Sequence, residues 1–253
     1  MVITGASSGI GRETAKEFAK LHASLVLVSR DKNRLDEVAN ELSIYKTKIL
    51  VCQCDVSQKD QVNDMQKEVL EKFGTIDVLI NNAGFGIYNV IKDTKIEDIE
   101  LQMATNYFGM VYCIKAFLPK MLENKSGHIV NVASVAASIG IPAMASYCAS
   151  KFAMLGFSES LYHELEGTGV GITVVSPIMV KTNFFNNNSF EKMPRYTMAL
   201  SANTVAKAVV RASSSPRLEI VVPQIVRVAI WMKQTFPYIV NILISRIFRR
   251  SAK

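Results

Sequence analysis

Histidine and cysteine are scarce in this sequence, with 3 histidines and 4 cysteines among 253 residues. No CxxC pair is accompanied by histidines at ligand spacing, which argues against a zinc site or any other bound metal. So few cysteines in a chain of this length do not form a disulfide scaffold, and they predict free thiols in a reducing cytosol. The first residues carry no basic leader, so a secretory signal is not expected.

Long apolar runs, repeats and low-complexity tracts are also missing. No stretch of about 18 uncharged apolar residues occurs, so a membrane-spanning helix is not expected. The chain can nevertheless bury a sizeable core, because 49% of its residues are apolar and 20% are charged. Its length suits one large domain, and no linker rich in proline, glycine or serine divides it.

Positive charge is concentrated at the C-terminal end. The formal net charge is +7, and residues 211–253 account for all of it, with Glu219 as their single acid. A basic segment of this kind either contacts an anionic membrane or an acidic partner, or forms an ordinary solvated face. Nucleic-acid binding is not expected, since the basic residues are few and no pattern of stacking aromatics accompanies them.

Strand and helix patterns alternate along the chain. The predicted strands are 2–3, 24–29, 49–53, 76–80, 128–132, 171–175 and 219–222, and the predicted helices are 12–21, 31–42, 57–73, 96–122, 147–165 and 201–213. This alternation predicts an α/β fold, a single doubly wound Rossmann-type parallel sheet with helices on both faces. Residues 1–222 are interpreted as one cofactor-binding and catalytic domain, and 223–253 as a helical extension. A polar, Asn-rich segment at 182–200 lies outside the alternation.

A glycine-rich turn at 4–11 lies between the first strand and the first helix. Glycine permits a tight turn and lets a pyrophosphate approach the backbone, while the following helix directs its N-terminal amides at the phosphates. The spacing is GxxxGxG, and its place in a strand–turn–helix unit favours a dinucleotide site over a plain turn. The predicted contacts are Gly5, Ser7, Ser8, Gly9, Ile10 and Gly11.

The second strand ends in Ser29-Arg30, where sites for NAD usually carry an acid. An arginine here would pair with a 2′-phosphate, and the small Ser29 leaves room for it, so NADP is the predicted cofactor. A solvated loop arginine is the alternative, and Arg12 is a second candidate for the phosphate. Asp55 and the neighbouring Val56 follow the third strand, where Asp55 either accepts from the adenine amino group or caps the next helix.

Tyr147 and Lys151 are four residues apart on a predicted helix, so their side chains share a face. A nearby ammonium favours the phenolate and would lower the high pKa of the tyrosine, which makes it a usable acid or base. Ser134 follows a strand end and can hydrogen-bond a substrate oxygen. Taken alone, this spacing is typical of ordinary residues on a helix surface.

The glycine turn, the run Asn81-Asn82-Ala83-Gly84, Ser134 and the Tyr147/Lys151 pair occur in order along one chain. This combination resembles the short-chain dehydrogenase/reductase family over residues 1–222. The resemblance implies a catalytic set of Ser134, Tyr147, Lys151 and Asn106, in which Asn106 holds a water that links the lysine to solvent. It also implies cofactor contacts by Asn81, Ala83, Gly84, Tyr147, Lys151, Pro177 and Thr182. Tyr147 would exchange a proton with the substrate oxygen, and the substrate would be a small-molecule carbonyl or alcohol.

One position departs from the family's pattern, because Ile178 stands where the family usually has glycine after its sixth strand. Two other readings of the motifs remain open. An epimerase or dehydratase of the same superfamily shares the Tyr/Lys pair but is usually longer. A non-catalytic NADP-binding protein tends to lose the tyrosine. The family resemblance further implies a homodimer or homotetramer.

The tail after Pro223 alternates large apolar residues with arginines. It suits a helix lying in a bilayer interface, a lid over the active site or an oligomer contact, and ordinary packing is the fourth possibility. Contact with lipid would favour a long-chain 3-oxoacyl, sphingoid or steroid-like substrate. The expected location is cytoplasmic, with peripheral membrane association through this tail.

Overall fold

The computed structural model describes residues 1–185, 188–193 and 199–249. The strands of these ranges are β1 (Val2–Thr4), β2 (Leu25–Ser29), β3 (Ile49–Gln53), β4 (Val78–Asn81), β5 (Gly127–Val132), β6 (Val170–Pro177), β7 (Val180–Lys181), β8 (Leu200–Ser201) and β9 (Glu219–Val222). Seven of them form one parallel sheet in the order β3-β2-β1-β4-β5-β6-β9. The strand order confirms the predicted doubly wound α/β fold.

Helices cover both faces of this sheet. They are α1 (Gly9–Lys20), α2 (Lys32–Leu42), α3 (Lys59–Phe73), α4 (Ile96–Met103), α5 (Gly109–Glu123), α6 (Ala145–Glu164), α7 (Ala202–Ala212), α8 (Val226–Thr235) and α9 (Pro237–Arg249). Local sequence explains several ends. Asp31 caps α2 by accepting from the Arg34 amide, Ser201 caps α7 by accepting from the Thr204 amide, and Gly74 ends α3 in the left-handed conformation.

The two faces of the sheet belong to two separate hydrophobic cores. Along β2, Val26 and Val28 pack into the core that contains α3, α5 and α6. Leu25 and Leu27 pack into the core that contains α1, α2 and α7. All four side chains are at most 1% exposed, which explains why the strand reads as a continuous apolar run rather than an alternating one.

The predicted helix 96–122 is interrupted. A π-helical turn, Ala104–Phe108, separates α4 from α5 and contains Asn106. The side chain of Asn106 bonds the backbone of Phe85, and this contact crosses between segments that are distant along the chain. The 3.6-residue spacing of apolar residues reports only local structure and not contacts with distant segments. The π-helical turn, which holds one residue more than an α-helical turn, was therefore not predicted. Single π-helical turns of this kind are frequent at functional sites.

The tail consists of α8 and α9, and its predicted final residues 250–253 lie outside the described ones. Ile230 of α8 is only 6% exposed, so this helix is anchored to the body of the protein. Within the described ranges, no helix is both long and apolar enough to cross a membrane. The segment predicted to be irregular at 182–200 contains short 3₁₀ turns and ends in β8, which pairs with β7. Residues 186–187 and 194–198 of that segment are outside the described part.

Candidate active site

A cleft of about 1030 Å³ lies at the carboxyl ends of the parallel strands. The strand order reverses there, between β1 and β4, and doubly wound proteins bind their ligands at this point. The cleft wall contains sixteen of the residues selected from the sequence: Gly5, Ser7, Ser8, Gly9, Ile10, Ser29, Arg30, Asp55, Val56, Ala83, Gly84, Ser134, Tyr147, Lys151, Pro177 and Thr182. Gly11, Asn81 and Asn106 lie behind this wall rather than in it.

The glycine turn has the backbone geometry that a phosphate site needs. Gly5 and Gly9 have φ values of 65° and 54°, which side chains with a Cβ rarely adopt. A Cβ on Gly9 would lie 3.1 Å from Cγ2 of Thr182, so the glycine keeps the floor of the cleft open. A Cβ on Gly11 would lie 2.2 Å from the Gly5 carbonyl oxygen, so Gly11 closes the turn from behind. The N-terminal amides of α1 begin at this turn.

Two arginines line the cleft beyond the end of β2. Arg30 was selected from the sequence, whereas Arg34, in the first turn of α2, was not. Asp31 lies between them, and its carboxylate is already engaged by Arg34, through the backbone amide at 3.1 Å and through Nε at 3.2 Å. Arg12 is not in the cleft wall, because its guanidinium binds Glu41 of α2 at 2.6 Å. Arg12 as a phosphate partner therefore stays a prediction, and Arg34 is a further arginine that lines the cleft.

Asp55 lies in the cleft wall but does not cap α3. Its Oδ1 accepts from the amide of Ser57 at 3.0 Å and from the Ser57 hydroxyl at 2.7 Å. The helix begins two residues later than expected, at Lys59, and its N-cap residue is Gln58. The carboxylate thus stabilises the turn after β3 and remains beside the cleft, where it could accept a hydrogen bond from a ligand.

Tyr147, Lys151 and Ser134 come together at the centre of the cleft. The Lys151 Nζ lies 5.7 Å from the centre of the Tyr147 ring, so the two side chains share one helix face as predicted. Burial raises the pKa of Tyr147, and a hydrogen bond with Ser134 opposes that rise. Burial lowers the pKa of Lys151 to about 8. The lysine ammonium donates to the Val132 carbonyl at 3.1 Å, so in this arrangement burial, rather than Lys151, dominates the pKa of the tyrosine.

Asn106 connects the centre of the cleft to the interior. Its amide nitrogen donates to the Phe85 carbonyl and to the Ser150 hydroxyl, both at 2.9 Å, and its Oδ1 accepts from the Phe85 amide at 3.0 Å. A Cβ on Gly84 would lie 2.9 Å from this Oδ1 and 3.7 Å from the Lys151 Nζ. Asn106 is therefore close to the lysine, with only a glycine between them. These bonds fix the loop that follows β4 against helix α6.

Asn81 is fully inside the sheet. Its amide nitrogen donates to the Asn131 side chain on β5 at 2.9 Å, and Asn131 donates in turn to the Ser158 hydroxyl at 2.9 Å. This chain of hydrogen bonds ties β4 and β5 to α6 below the cleft. Asn82, the next residue, donates to the backbone carbonyls of Thr4 and Gly5 at 3.0 and 3.3 Å. The turn after β4 thereby holds the glycine turn in place.

One end of the cleft is apolar and was not predicted from the sequence. Its walls combine residues from two separate segments: Ile141, Met144, Phe184 and Met193. The Phe184 ring meets the Tyr147 ring edge-on, with centroids 5.6 Å apart. A Cβ on Gly86 would lie 2.8 Å from Cζ of Phe184, so that glycine makes room for the phenyl ring. No periodic signal could have assembled this set, because its members are far apart along the chain.

Known proteins with similar sequences are oxidoreductases. Dehydrogenase/reductase SDR family member 7B of Xenopus laevis is 36% identical over 253 aligned residues, which cover 94% of this chain and 78% of that protein. Retinol dehydrogenase 10-B of Danio rerio is 35% identical over 261 aligned residues, with the same two shares covered.

Solved structures agree with these sequence relatives. A short-chain dehydrogenase/reductase of Burkholderia phymatum in complex with NAD superposes with a TM-score of 0.85 at 28% identity, covering 94% of this chain and 93% of that one. A short-chain dehydrogenase of Sphingobium yanoikuyae in complex with NADPH gives 0.83 at 26% identity, with the same shares. A family model described as short chain dehydrogenase matches residues 1–192. The chain therefore belongs to the short-chain dehydrogenase/reductase family.

Proposed function

We propose that this protein is an NADP-dependent oxidoreductase that interconverts a carbonyl group and a secondary alcohol on an apolar, lipid-like substrate. The observation that carries the proposal is the position of Tyr147. Its side chain lines the cleft between a glycine turn built for phosphates and an apolar end with Phe184. A proton donor at this boundary is what carbonyl reduction requires.

The cleft fits a dinucleotide in its volume, its glycine positions and its two arginines. When bound, a nicotinamide dinucleotide supplies or accepts the hydride. The chain's own residues handle the proton and the oxygen. Tyr147 holds a proton at its hydroxyl because burial raises its pKa, and in reduction it gives this proton to the substrate oxygen. Ser134 hydrogen-bonds that oxygen, and Lys151 restores the proton of Tyr147 from the Asn106 side of the site. Alcohol oxidation uses the same groups in reverse.

Two arginines support a preference for NADP over NAD. Planar guanidinium groups bind phosphates through paired hydrogen bonds, and Arg30 and Arg34 both line the end of the cleft that follows β2. Asp31 is the acid nearest to this end. Its two carboxylate oxygens already bind Arg34, which reduces its capacity to accept from ribose hydroxyls as the acid of an NAD site does.

Replacing Arg30 or Arg34 with alanine is expected to raise the KM for NADPH by about 10- to 100-fold, because each change removes charge-assisted hydrogen bonds. The KM for NADH should change little. Steady-state kinetics with both cofactors measure this difference. Arg12→Ala is the matched control, since this arginine lies outside the cleft wall and binds Glu41. An equal loss with both cofactors would contradict the assignment.

The apolar end of the cleft supports a lipid-like substrate. In the described part of its wall, the charged side chains are Arg30, Asp31, Arg34, Asp55 and Lys151, and none of these belongs to the end formed by Ile141, Met144 and Phe184. An uncharged hydrocarbon gains about 25 cal/mol for each Å² buried in such surroundings. A 3-oxoacyl, sphingoid or steroid-like compound meets this requirement, and the similarity to a retinol dehydrogenase is in keeping with it.

Phe184→Ala is expected to raise the KM for large apolar ketones by about tenfold, because it removes one wall of the apolar end. The KM for a small ketone such as acetone should hardly change. Phe152→Ala is the control, since Phe152 is 41% exposed and does not line the cleft. A uniform change in KM across substrates of every size would show that Phe184 has no role in substrate selection.

The decisive experiment measures consumption of NADPH and NADH over a panel of ketones and 3-oxoacyl thioesters, with wild type beside Tyr147→Phe. We expect turnover with NADPH and apolar ketones that disappears in the variant. Turnover that survives Tyr147→Phe unchanged would overturn the mechanism. Mass spectrometry identifies the products. An epimerised or dehydrated product formed without net consumption of the cofactor would contradict the reductase and favour the epimerase or dehydratase alternative.

A homodimer or homotetramer is part of the same proposal. The supporting feature is an aromatic group on the π turn and α6, in which the Tyr107 ring lies 5.1 Å from that of Phe108 and 6.1 Å from that of Phe157. Phe108 is 44% exposed, whereas Tyr107 and Phe157 are half-buried. An exposed aromatic side chain supported by further rings is typical of protein interfaces. Multi-angle light scattering of the purified protein measures the mass, and a monomer would contradict this part of the proposal.

The proposed setting is the cytosol, with peripheral contact to a membrane. The four cysteines are buried free thiols, which suits a reducing compartment. Burial raises the pKa of Cys54 to about 11, so this thiol stays protonated and unreactive near neutral pH. Fractionation of cells that express the chain tests the setting, and recovery from an oxidising secretory compartment would contradict it.

A further inference from the structure

We infer that α8 and α9 together form a surface that docks on an anionic lipid bilayer and brings the apolar end of the cleft to that surface. Nine of the nineteen large apolar side chains that are exposed in the described part of the chain lie between residues 225 and 243. They are Ile225, Val228, Trp231, Met232, Phe236, Tyr238, Ile239, Ile242 and Leu243. We call these nine residues the tail patch.

The tail patch occupies one side of each helix. In α8 the inner side is Val226, Ile230 and Lys233, which are buried or half-buried, and in α9 the inner positions are Val240 and Ile244. These spacings of three and four residues mark a single helix face. The members of the tail patch fall between them, on the outer side. Each helix is thus fixed to its neighbours by its inner side while an apolar outer face remains in solvent.

The two outer faces belong to one surface. The rings of Trp231 in the middle of α8 and Phe236 between α8 and α9 meet edge-on, with centroids 6.4 Å apart. Tyr238 at the start of α9 is 85% exposed. Tryptophan and tyrosine are the residues that lie at the headgroup level of a bilayer, since each has an apolar ring and a polar atom.

Charge complementarity selects an anionic bilayer as the occupant. No acidic residue follows Glu219 in the sequence, whereas Arg227 and Arg246 are exposed on the described tail helices. An apolar face bordered by cations and free of acids attracts anionic headgroups while its side chains enter the acyl region. A neutral protein partner would gain no electrostatic attraction from a basic surface that lacks acidic residues.

The position of α8 relates the docking surface to catalysis. Val226, the first residue of α8, lines the cleft from the inner side of this helix. Val228 and Trp231 of the tail patch lie on the outer side of the same helix. A bilayer bound to this patch is therefore separated from the cleft by about one helix diameter, roughly 10–12 Å. This second half of the inference, delivery of the substrate from lipid, rests on the proposed function.

The experiment is flotation of the full chain with two kinds of vesicle, phosphatidylcholine alone and phosphatidylcholine mixed with phosphatidylserine. We expect wild type to float with the mixed vesicles and to be released by added salt. The double variant Ile239→Glu/Leu243→Glu should lower the bound fraction by about tenfold or more, because it places two carboxylates on the outer face of α9. Far-UV circular dichroism verifies that the variant keeps its helices.

The matched control is Leu21→Glu/Ile44→Glu, which adds the same charge at sites that are 63% and 72% exposed and lie outside the tail. This variant should float like wild type. The inference is overturned by failure of wild type to bind mixed vesicles, by equal losses in both double variants, or by a tail variant whose only change is a smaller mass in light scattering. That last result would assign the tail patch to a second copy of the chain.

Turnover separates the docking surface from the proposed function. The tail variant should keep wild-type kcat/KM for a water-soluble ketone and lose it for a ketone dissolved in mixed vesicles. Equal losses with both substrates would identify a lid and overturn delivery of the substrate from lipid, while flotation alone decides docking. Flotation is independent of turnover, so a protein that floats as expected but reduces no ketone would refute the proposed function and leave the docking surface standing.

Discussion

Replacing Tyr147 with phenylalanine is expected to lower kcat by about 10²- to 10⁴-fold while the affinity for NADPH stays within about threefold of wild type. The change removes one hydroxyl, the group that exchanges a proton with the substrate oxygen. The ring itself remains, and with it the edge-on contact with Phe184 at 5.6 Å. Single-turnover kinetics measure the chemical step, and quenching of protein fluorescence by NADPH measures binding.

Tyr162→Phe is the control for this experiment. Tyr162 is on the same helix, α6, is 38% exposed and donates its hydroxyl to the Pro216 carbonyl at 3.3 Å. Its replacement removes the same atom far from the cleft, so activity should stay at the wild-type level. A comparable loss of activity in both variants would mean that removing any tyrosine hydroxyl from α6 impairs the enzyme. The result would then contradict a specific proton-transfer role for Tyr147.

The sheet and the centre of the cleft could be predicted from the sequence because both depend on local patterns. Parallel strands buried on two faces read as apolar runs, and a turn built of glycines between a strand and a helix has few alternative structures. Two residues at positions i and i+4 of a helix always share a face, and Tyr147 and Lys151 have this spacing. Spacing therefore predicted their proximity, and the lysine Nζ lies 5.7 Å from the tyrosine ring centre.

Features that depend on contacts between distant segments were not predictable. Arg12 and Arg34 illustrate the difference, since either could meet a phosphate when judged from the sequence alone. Only the packing of α1 beside α2 shows that Arg12 binds Glu41 and that Arg34 is left to line the cleft. The apolar end is a similar case, because Met144 and Phe184 belong to different segments. Depth of burial is another such property, and it governs the chemistry of Lys151.

Lys151 is the residue for which stability and activity are most clearly opposed. Its side chain is only 4% exposed, and the pKa falls from 10.5 to about 8 because burial penalises the ammonium. Such a difference corresponds to a cost of about 3 kcal/mol in the free energy of unfolding at neutral pH. Hydrogen bonds from the ammonium to the Val132 carbonyl offset part of this cost in the folded protein.

Lys151→Met is therefore expected to raise the free energy of unfolding at pH 7 by about 1–2 kcal/mol and Tm by about 2–6 °C, while kcat falls by at least about 10²-fold. Methionine has a similar length and no charge to bury. Thermal unfolding followed by circular dichroism measures the first effect, and NADPH consumption measures the second. Lys67→Met is the control, because Lys67 is 74% exposed and its removal should leave both quantities unchanged.

The dependence on pH distinguishes charge burial from better packing. Below pH 8 the lysine is protonated in both the folded and the unfolded protein, so the full cost is present. Between about pH 8 and 10.5 the folded protein binds fewer protons than the unfolded one, and wild-type stability rises relative to the variant. The advantage of Lys151→Met should shrink through this range and be lost near its upper end. A gain in stability that is constant with pH would come from packing alone. Burial of the Lys151 ammonium would then not destabilise the folded protein.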